Sequence, residues 1–157
     1  MIESGQFLNF ILPKLESNSI DEKRRYMIVA KNDSNRTIEM INISKISGKN
    51  SMNLIKDYNV ILNDYCPLRL PSFAKTNTLY KIEYFEELEN YICFNGRKLN
   101  DRDFLNIIAE RQKYVKRTNK NNIIYISFVF LKFIFSIASA MFNHLSFTHL
   151  AFMLSRR

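Results

Sequence analysis

The stretch RYMIVAKNDSNRTIEMINIS, residues 25–44, gives the clearest indication of the fold class. Two runs rich in β-branched and apolar residues flank the polar sequence NDSN, whose residue types favour a turn. The pattern therefore predicts a β-hairpin over residues 25–44. Because apolar residues dominate both arms, we expect the hairpin to belong to a sheet with at least one well-covered face.

The segments on either side of this hairpin predict helices. Residues 2–12, IESGQFLNFIL, have the spacing of a short amphipathic helix that Pro13 ends. Residues 51–65, SMNLIKDYNVILNDY, place apolar side chains at helical intervals. Ser51 is a residue type that caps helices, which agrees with a start at this position.

The following segment predicts two strands and a further helix. Residues 78–85 alternate as a strand does, and residues 90–99 contain the dipeptide Asn95-Gly96. This dipeptide is typical of a two-residue hairpin turn, because both of its residues tolerate positive φ. Asn100 then has the residue type of a helix N-cap. Residues 101–117 carry acidic residues first and basic residues last, as the helix dipole favours.

Together these elements predict the α+β class, with a small mixed or antiparallel sheet. The order hairpin, helix, strands resembles the β-grasp layout of ubiquitin-like domains over residues 25–105. FNGRKLND, residues 94–101, resembles the third-strand corner of those domains. The loop at 66–77 and the helix at 101–117 depart from that layout. The resemblance concerns the fold and implies no function.

Composition and motifs narrow the class of function. The chain has 157 residues and a net charge of +8, which suits a polyanionic partner such as nucleic acid or an anionic membrane surface. It has no glycine-rich phosphate loop, and its two histidines, His144 and His149, have no third metal ligand nearby. Cys66 and Cys93 fit reduced thiols. We therefore expect a non-enzymatic protein with no metal, no cofactor and no small-molecule substrate.

The candidate site is the basic end of the last predicted helix, together with the loop that follows it. The residues expected to contact a polyanion or a membrane surface are Arg111, Lys113, Tyr114, Lys116, Arg117 and Lys120. In such a segment the cations contact phosphates and the tyrosine stacks on a base. Three other interpretations remain open: cations that complement a helix C-terminus, a solvated face, and a basic cluster that precedes a membrane segment.

The apolar C-terminal segment, residues 121–154, also allows two interpretations. As a helix, residues 123–142 extend over about 30 Å, the thickness of a hydrocarbon core. The cost of Lys132 and of the polar residues nearly cancels the gain from inserting the apolar ones. Alternatively, a strand at 122–131 and a helix at 133–154 complete a soluble fold. Lys132 distinguishes the two interpretations, because replacing it with leucine should strengthen membrane retention only if residues 123–142 span the membrane.

Two hypotheses for function follow. The first is an adaptor or accessory subunit whose domain, residues 1–120, faces the cytosol. Residues 123–142 anchor it in the mitochondrial outer membrane or the endoplasmic reticulum, and it works through a protein partner or a larger assembly. The second is a soluble cytoplasmic factor that binds nucleic acid or a ribonucleoprotein through residues 111–120. Its tail, residues 121–157, is then buried in the fold or docked on a partner.

Overall fold

A computed structural model of the chain describes residues 1–11, 24–33, 36–48, 58–62 and 67–126. The strands are β1 (Phe7–Ile11), β2 (Arg24–Asp33), β3 (Thr37–Lys45), β4 (Asn59–Ile61), β5 (Ser72–Glu83) and β6 (Ile123–Ile126). One α-helix, α1 (Asp101–Thr118), and two short 3₁₀ helices, Glu86–Tyr91 and Phe94–Gly96, complete the described elements. Residues Met1–Tyr125 form one compact unit, and Ile126–Arg157 is grouped as another.

β2 and β3 form the hairpin at the centre of the prediction. Ile28 lies opposite Ile41 and Val29 lies opposite Met40, and all four side chains are fully buried. Neighbouring residues on a strand point to opposite faces of the sheet. Their joint burial therefore means that both faces are covered here, which explains why the two arms read as nearly continuous apolar runs.

The strand order is β1-β2-β3-β5-β4, and β6 also pairs with β5. The registered pairs are antiparallel. Directly before β6, the Asn122 carbonyl accepts a hydrogen bond from the Leu79 amide at 2.9 Å, and Tyr125 is close enough to Lys81 to raise its pKa slightly. The two interactions advance in the same direction along both segments, which indicates that β6 runs parallel to β5. A parallel neighbour needs a crossover connection, and α1 supplies it.

The pairing of β5 with β3 is interrupted at the middle of β5. Lys75 lies opposite Asn42 and Tyr80 lies opposite Met40, so residues 76–79 face a single residue of β3. The extra residues leave backbone groups outside the ladder, as in a β-bulge. Other parts of the chain bind these groups instead: the Thr76 amide donates to the Tyr58 carbonyl at 3.1 Å.

α1 packs on one face of the sheet, which we call the helix face. The core on this side contains Phe7, Ile28 and Ile41 from the sheet and Ile107 from the helix. The Asn100 side chain accepts a hydrogen bond from the Asp103 amide at 2.9 Å, which caps the helix as expected. The α+β class, the hairpin and the helix at 101–117 are thus confirmed, with the helix one residue longer than predicted.

The predicted strand at 78–85 lies mostly within β5, which begins six residues earlier and ends at Glu83.

The predicted helix at 2–12 is wrong, because Phe7–Ile11 forms β1. Phe7 and Leu8 are both fully buried, one on each face of the sheet. Adjacent apolar residues of this kind also occur on one face of a helix, so the spacing was misleading.

The predicted helix at 51–65 is wrong where the structure describes it. Asn59–Ile61 forms β4, and Val60 lies opposite Ala74 of β5. The remaining residues, 51–57 and 63–65, lie outside the described residues. A strand at the end of this segment also departs from the β-grasp order, which places a helix there.

The predicted strand and hairpin at 90–99 are also wrong. Asn95 and Gly96 do adopt positive φ, 53° and 74°, but Phe94 does so as well, at 57°. Three successive left-handed residues make a tight turn that does not return the chain as a hairpin. The segment instead lies along the outer edge of β1 through two isolated bridges, Gln6–Lys98 and Leu8–Ile92.

Of the apolar segment 121–154, the structure describes residues 121–126, and Ile123–Ile126 forms β6. The remainder, including Lys132 and both histidines, lies outside the described residues. Within the described part of the chain, no helix combines the length and the hydropathy that a membrane crossing requires. The division into domains at residue 120 stays a prediction.

Candidate nucleic-acid interface

The exposed basic residues lie where α1 leaves the sheet. The helix begins beside β1, where the Leu99 amide donates to the Gly5 carbonyl at 2.9 Å. It reaches β5 at Arg111, which binds the Thr76 carbonyl. The residues beyond that contact include the cations Lys113, Lys116 and Arg117, and all three are exposed. α1 therefore presents its basic end at the edge of the sheet formed by β4 and β6.

The helix ends at Asn119, which adopts the left-handed conformation (φ 52°, ψ 27°). Asparagine tolerates this conformation better than most residues, and it is a common way to end a helix. The turn places Lys120, also exposed, directly after the cations of the last turn. The partial negative charge at the helix C-terminus stabilises these cations.

Lys113 is partly compensated by a neighbour. Its ammonium lies 2.6 Å from a carboxylate oxygen of Glu110, one turn earlier in the helix, and its side chain remains 70% exposed. An ion pair as exposed as this contributes little to stability, in the range of about 0–1 kcal/mol. The pair therefore leaves Lys113 able to contact a phosphate.

Arg111 does not belong to this surface. It is only 7% exposed. Its guanidinium donates to the Thr76 carbonyl at 3.0 Å, to the Asn121 side-chain oxygen at 2.5 Å and to the Asn122 carbonyl at 3.4 Å. Burial lowers the pKa of Arg111 below its ordinary value. The sequence-based assignment of Arg111 as a polyanion contact is therefore corrected: it joins α1 to the β5 bulge and to the loop before β6.

Tyr114 is poorly placed for stacking on a base. Its ring packs edge-on against Tyr58 with centroids 5.7 Å apart, and the Arg111 guanidinium lies 5.9 Å from its centroid. The side chain is half-buried by its surroundings. Both neighbours occupy ring surface that a base would need, so Tyr114 acts within the fold rather than at its surface.

Tyr125 is an exposed aromatic residue that the sequence patterns did not single out. It lies on β6 and is 76% exposed. It lies near Lys81, whose pKa is raised mainly by the hydrogen bond to Glu39 and slightly by Tyr125. The available signal was a polar-tipped ring between Ile124 and Ile126, which alternates with them along the strand. The apolar composition of the whole segment obscured it.

Two observations on the described residues concern thiol and metal chemistry. The Cys93 thiol donates to the Phe7 carbonyl at 3.2 Å, and burial raises its pKa to about 11, so the reactive thiolate is scarce at neutral pH. Within the described ranges, no group of three His, Cys, Asp or Glu side chains could hold a metal ion. Cys66 and both histidines lie outside those ranges.

No protein-family model matches the chain, and no curated protein matches it.

Proposed function

We propose that the protein is a non-enzymatic binding module that holds nucleic acid, alone or within a ribonucleoprotein, through the basic end of α1. The observation that carries the proposal is the exposure of Lys113, Lys116, Arg117 and Lys120 on one helix end and the loop after it. We call these four residues the basic surface.

Contacts between phosphates and basic side chains can supply sequence-independent affinity for nucleic acid without any contact to the bases. Each phosphate that a lysine or arginine neutralises releases condensed counterions, so binding weakens steeply as salt rises. The net charge of +8 adds long-range attraction for a polyanion. Removing Arg111 from the set leaves four cations, which is enough for weak, sequence-independent binding.

The test measures binding of the full chain to a fluorescein-labelled RNA by anisotropy over a range of salt concentrations. The double variant Lys116→Gln/Arg117→Gln should bind more weakly. Its salt dependence should also be shallower, with the log–log slope reduced by about 0.7 for each phosphate that the variant no longer neutralises on a single strand. The matched control is Lys31→Gln/Arg36→Gln, which removes the same charge from exposed positions at the β2–β3 turn.

Equal losses of affinity in both double variants would show that net charge, and not the basic surface, drives binding. The proposal fails in that case. It also fails if the unmodified chain does not bind RNA at low salt.

A second candidate is a tail-anchored adaptor or accessory subunit on the cytosolic face of an intracellular membrane. The observation that favours it is the position of the basic surface, which immediately precedes the apolar segment 123–142 in the chain. Exposed cations beside an inserted segment would lie among anionic headgroups. The inclusion of residues 123–126 in β6 leaves a shorter uninterrupted segment for insertion unless β6 separates from β5.

Alkaline carbonate extraction of membranes tests this second candidate. An anchored chain stays in the pellet, and Lys132→Leu should increase the retained fraction. Complete release of the unmodified chain would rule it out.

A further inference from the structure

We propose that Tyr125 stacks on a nucleic-acid base beside the basic surface, and that the partner is therefore single-stranded. This inference rests on the proposed function and names its class of ligand.

The Tyr125 ring lies on the same face of the sheet as α1. Ile123 packs against the core on the helix face. Side chains two residues apart on a strand share a face, so Tyr125 also lies on the side of the sheet that carries α1. Its 76% exposure shows that α1 does not cover it. A large ring therefore stands open to solvent on the side of the sheet that carries the helix with the basic end.

Tyr125 is also close to the basic surface along the chain. It follows Lys120 by five residues, and a fully extended chain covers at most about 3.3–3.6 Å per residue, or about 18 Å in total. A strand that stays stacked as in a duplex advances about 3.4 Å per nucleotide, so about five nucleotides cover that distance, and a more extended single strand covers it with fewer. One short strand can thus contact Lys120 and Tyr125 together.

The surface next to Tyr125 carries a compensated charge. Lys81 of β5 lies near Tyr125, and its ammonium is 2.6 Å from Glu39. The Lys81 side chain keeps 24% of its surface exposed. A paired lysine offers a hydrogen-bond donor to a sugar or a base without adding much net charge. The phosphate-binding charge therefore lies on the basic surface, and the neighbourhood of Tyr125 suits a base.

These features favour a single strand over a duplex. Bases in a duplex are stacked on each other and do not offer a free face to a protein side chain, whereas single-stranded bases stack on aromatic rings. Tyr114, which lies among the cations of the helix end, is already packed against Tyr58 and Arg111. Tyr125 is the better-exposed ring on this side of the molecule.

The experiment compares a fluorescein-labelled single strand of about twelve nucleotides with an RNA hairpin of the same charge, using the full chain. We expect tighter binding of the single strand. Tyr125→Ala should weaken that binding by roughly 5- to 100-fold and leave its salt dependence unchanged. Tyr125→Phe should bind like the unmodified chain, because it keeps the stacking face. Leu70→Ala, at another exposed apolar residue, is the control for loss of apolar surface.

A second measurement does not depend on the variants folding. RNA that carries 4-thiouridine is irradiated with the unmodified chain, and the cross-linked residue is mapped by mass spectrometry. We expect the cross-link at Tyr125.

The outcomes separate this inference from the proposed function. Binding that is equal for strand and hairpin, or that Tyr125→Ala leaves unchanged, overturns the inference while the proposed function stands. Cross-links that map elsewhere also overturn it. If the chain binds neither RNA and instead binds vesicles containing phosphatidylserine, the proposed function and the inference fail together.

Discussion

Arg111 shows how much the role of one residue depends on its environment. In the sequence it lies among five other candidates for polyanion binding, and in the structure it is the one charged member that is buried. Its hydrogen bonds connect α1 to Thr76 of β5, 35 positions away, and to the loop before β6. Spacing along a sequence cannot reveal a contact of this range, so Arg111 and Lys113 were indistinguishable at the level of sequence.

We expect Arg111→Met to destabilise the protein by about 2–4 kcal/mol. Methionine keeps an unbranched side chain in the core but removes the donors, and it leaves the Thr76 and Asn122 carbonyls without this partner. The free energy of unfolding is measured by urea denaturation. Lys113→Met is the control, because it removes an exposed cation two residues away and should change the free energy of unfolding by less than about 1 kcal/mol. Similar losses of stability in the two variants would contradict the role assigned to Arg111.

Among the helices and strands, the sequence correctly predicted those that are specified by residues close to one another in the chain. The β2–β3 hairpin and α1 are specified by residues close in sequence: alternating apolar runs around a polar turn, and an asparagine cap ahead of a helical stripe. β1 and β4 are strands because each pairs with a segment elsewhere in the chain, Phe7 with Ile28 of β2 and Val60 with Ala74 of β5. For such segments a helix and a strand give similar local patterns, so the sequence alone favoured the wrong one.

The cap of α1 makes a prediction at this scale. Asn100→Ala should lower the free energy of unfolding by about 1 kcal/mol, because the Asp103 amide loses its acceptor. Asn106→Ala makes the same substitution at an exposed position inside the helix, where alanine is the better helix former. We expect it to be neutral or slightly stabilising in the same urea titration. If both variants lose stability equally, the loss reflects side-chain removal and not capping.

For the molecule as a whole, the sheet order explains which residues of the proposed binding site could be foreseen. The four exposed cations were predicted because charge at a helix end and in a loop is usually solvated. Tyr125 was missed because its exposure depends on β6 joining the edge of β5 with α1 on the same face. The relation between these elements arises from the parallel crossover, which no local pattern in residues 101–126 specifies.

The same topology predicts a gradient of local stability. β3 and β5 have hydrogen-bonded neighbours on both sides, whereas β6 is four residues long and, among the described strands, pairs with β5 alone. Short edge elements open at lower free energy than central strands. Hydrogen exchange followed by mass spectrometry should therefore show the slowest exchange in β3 and in the β5 residues paired with it, and faster exchange in β6.

In Arg111→Met, exchange should accelerate first at residues 76–79 and 119–126, since these segments lose a shared partner, while β1 and β2 change less. An increase of equal size in every strand would mean that Arg111 acts only through global stability, and that it does not couple α1, β5 and β6 as the hydrogen bonds indicate.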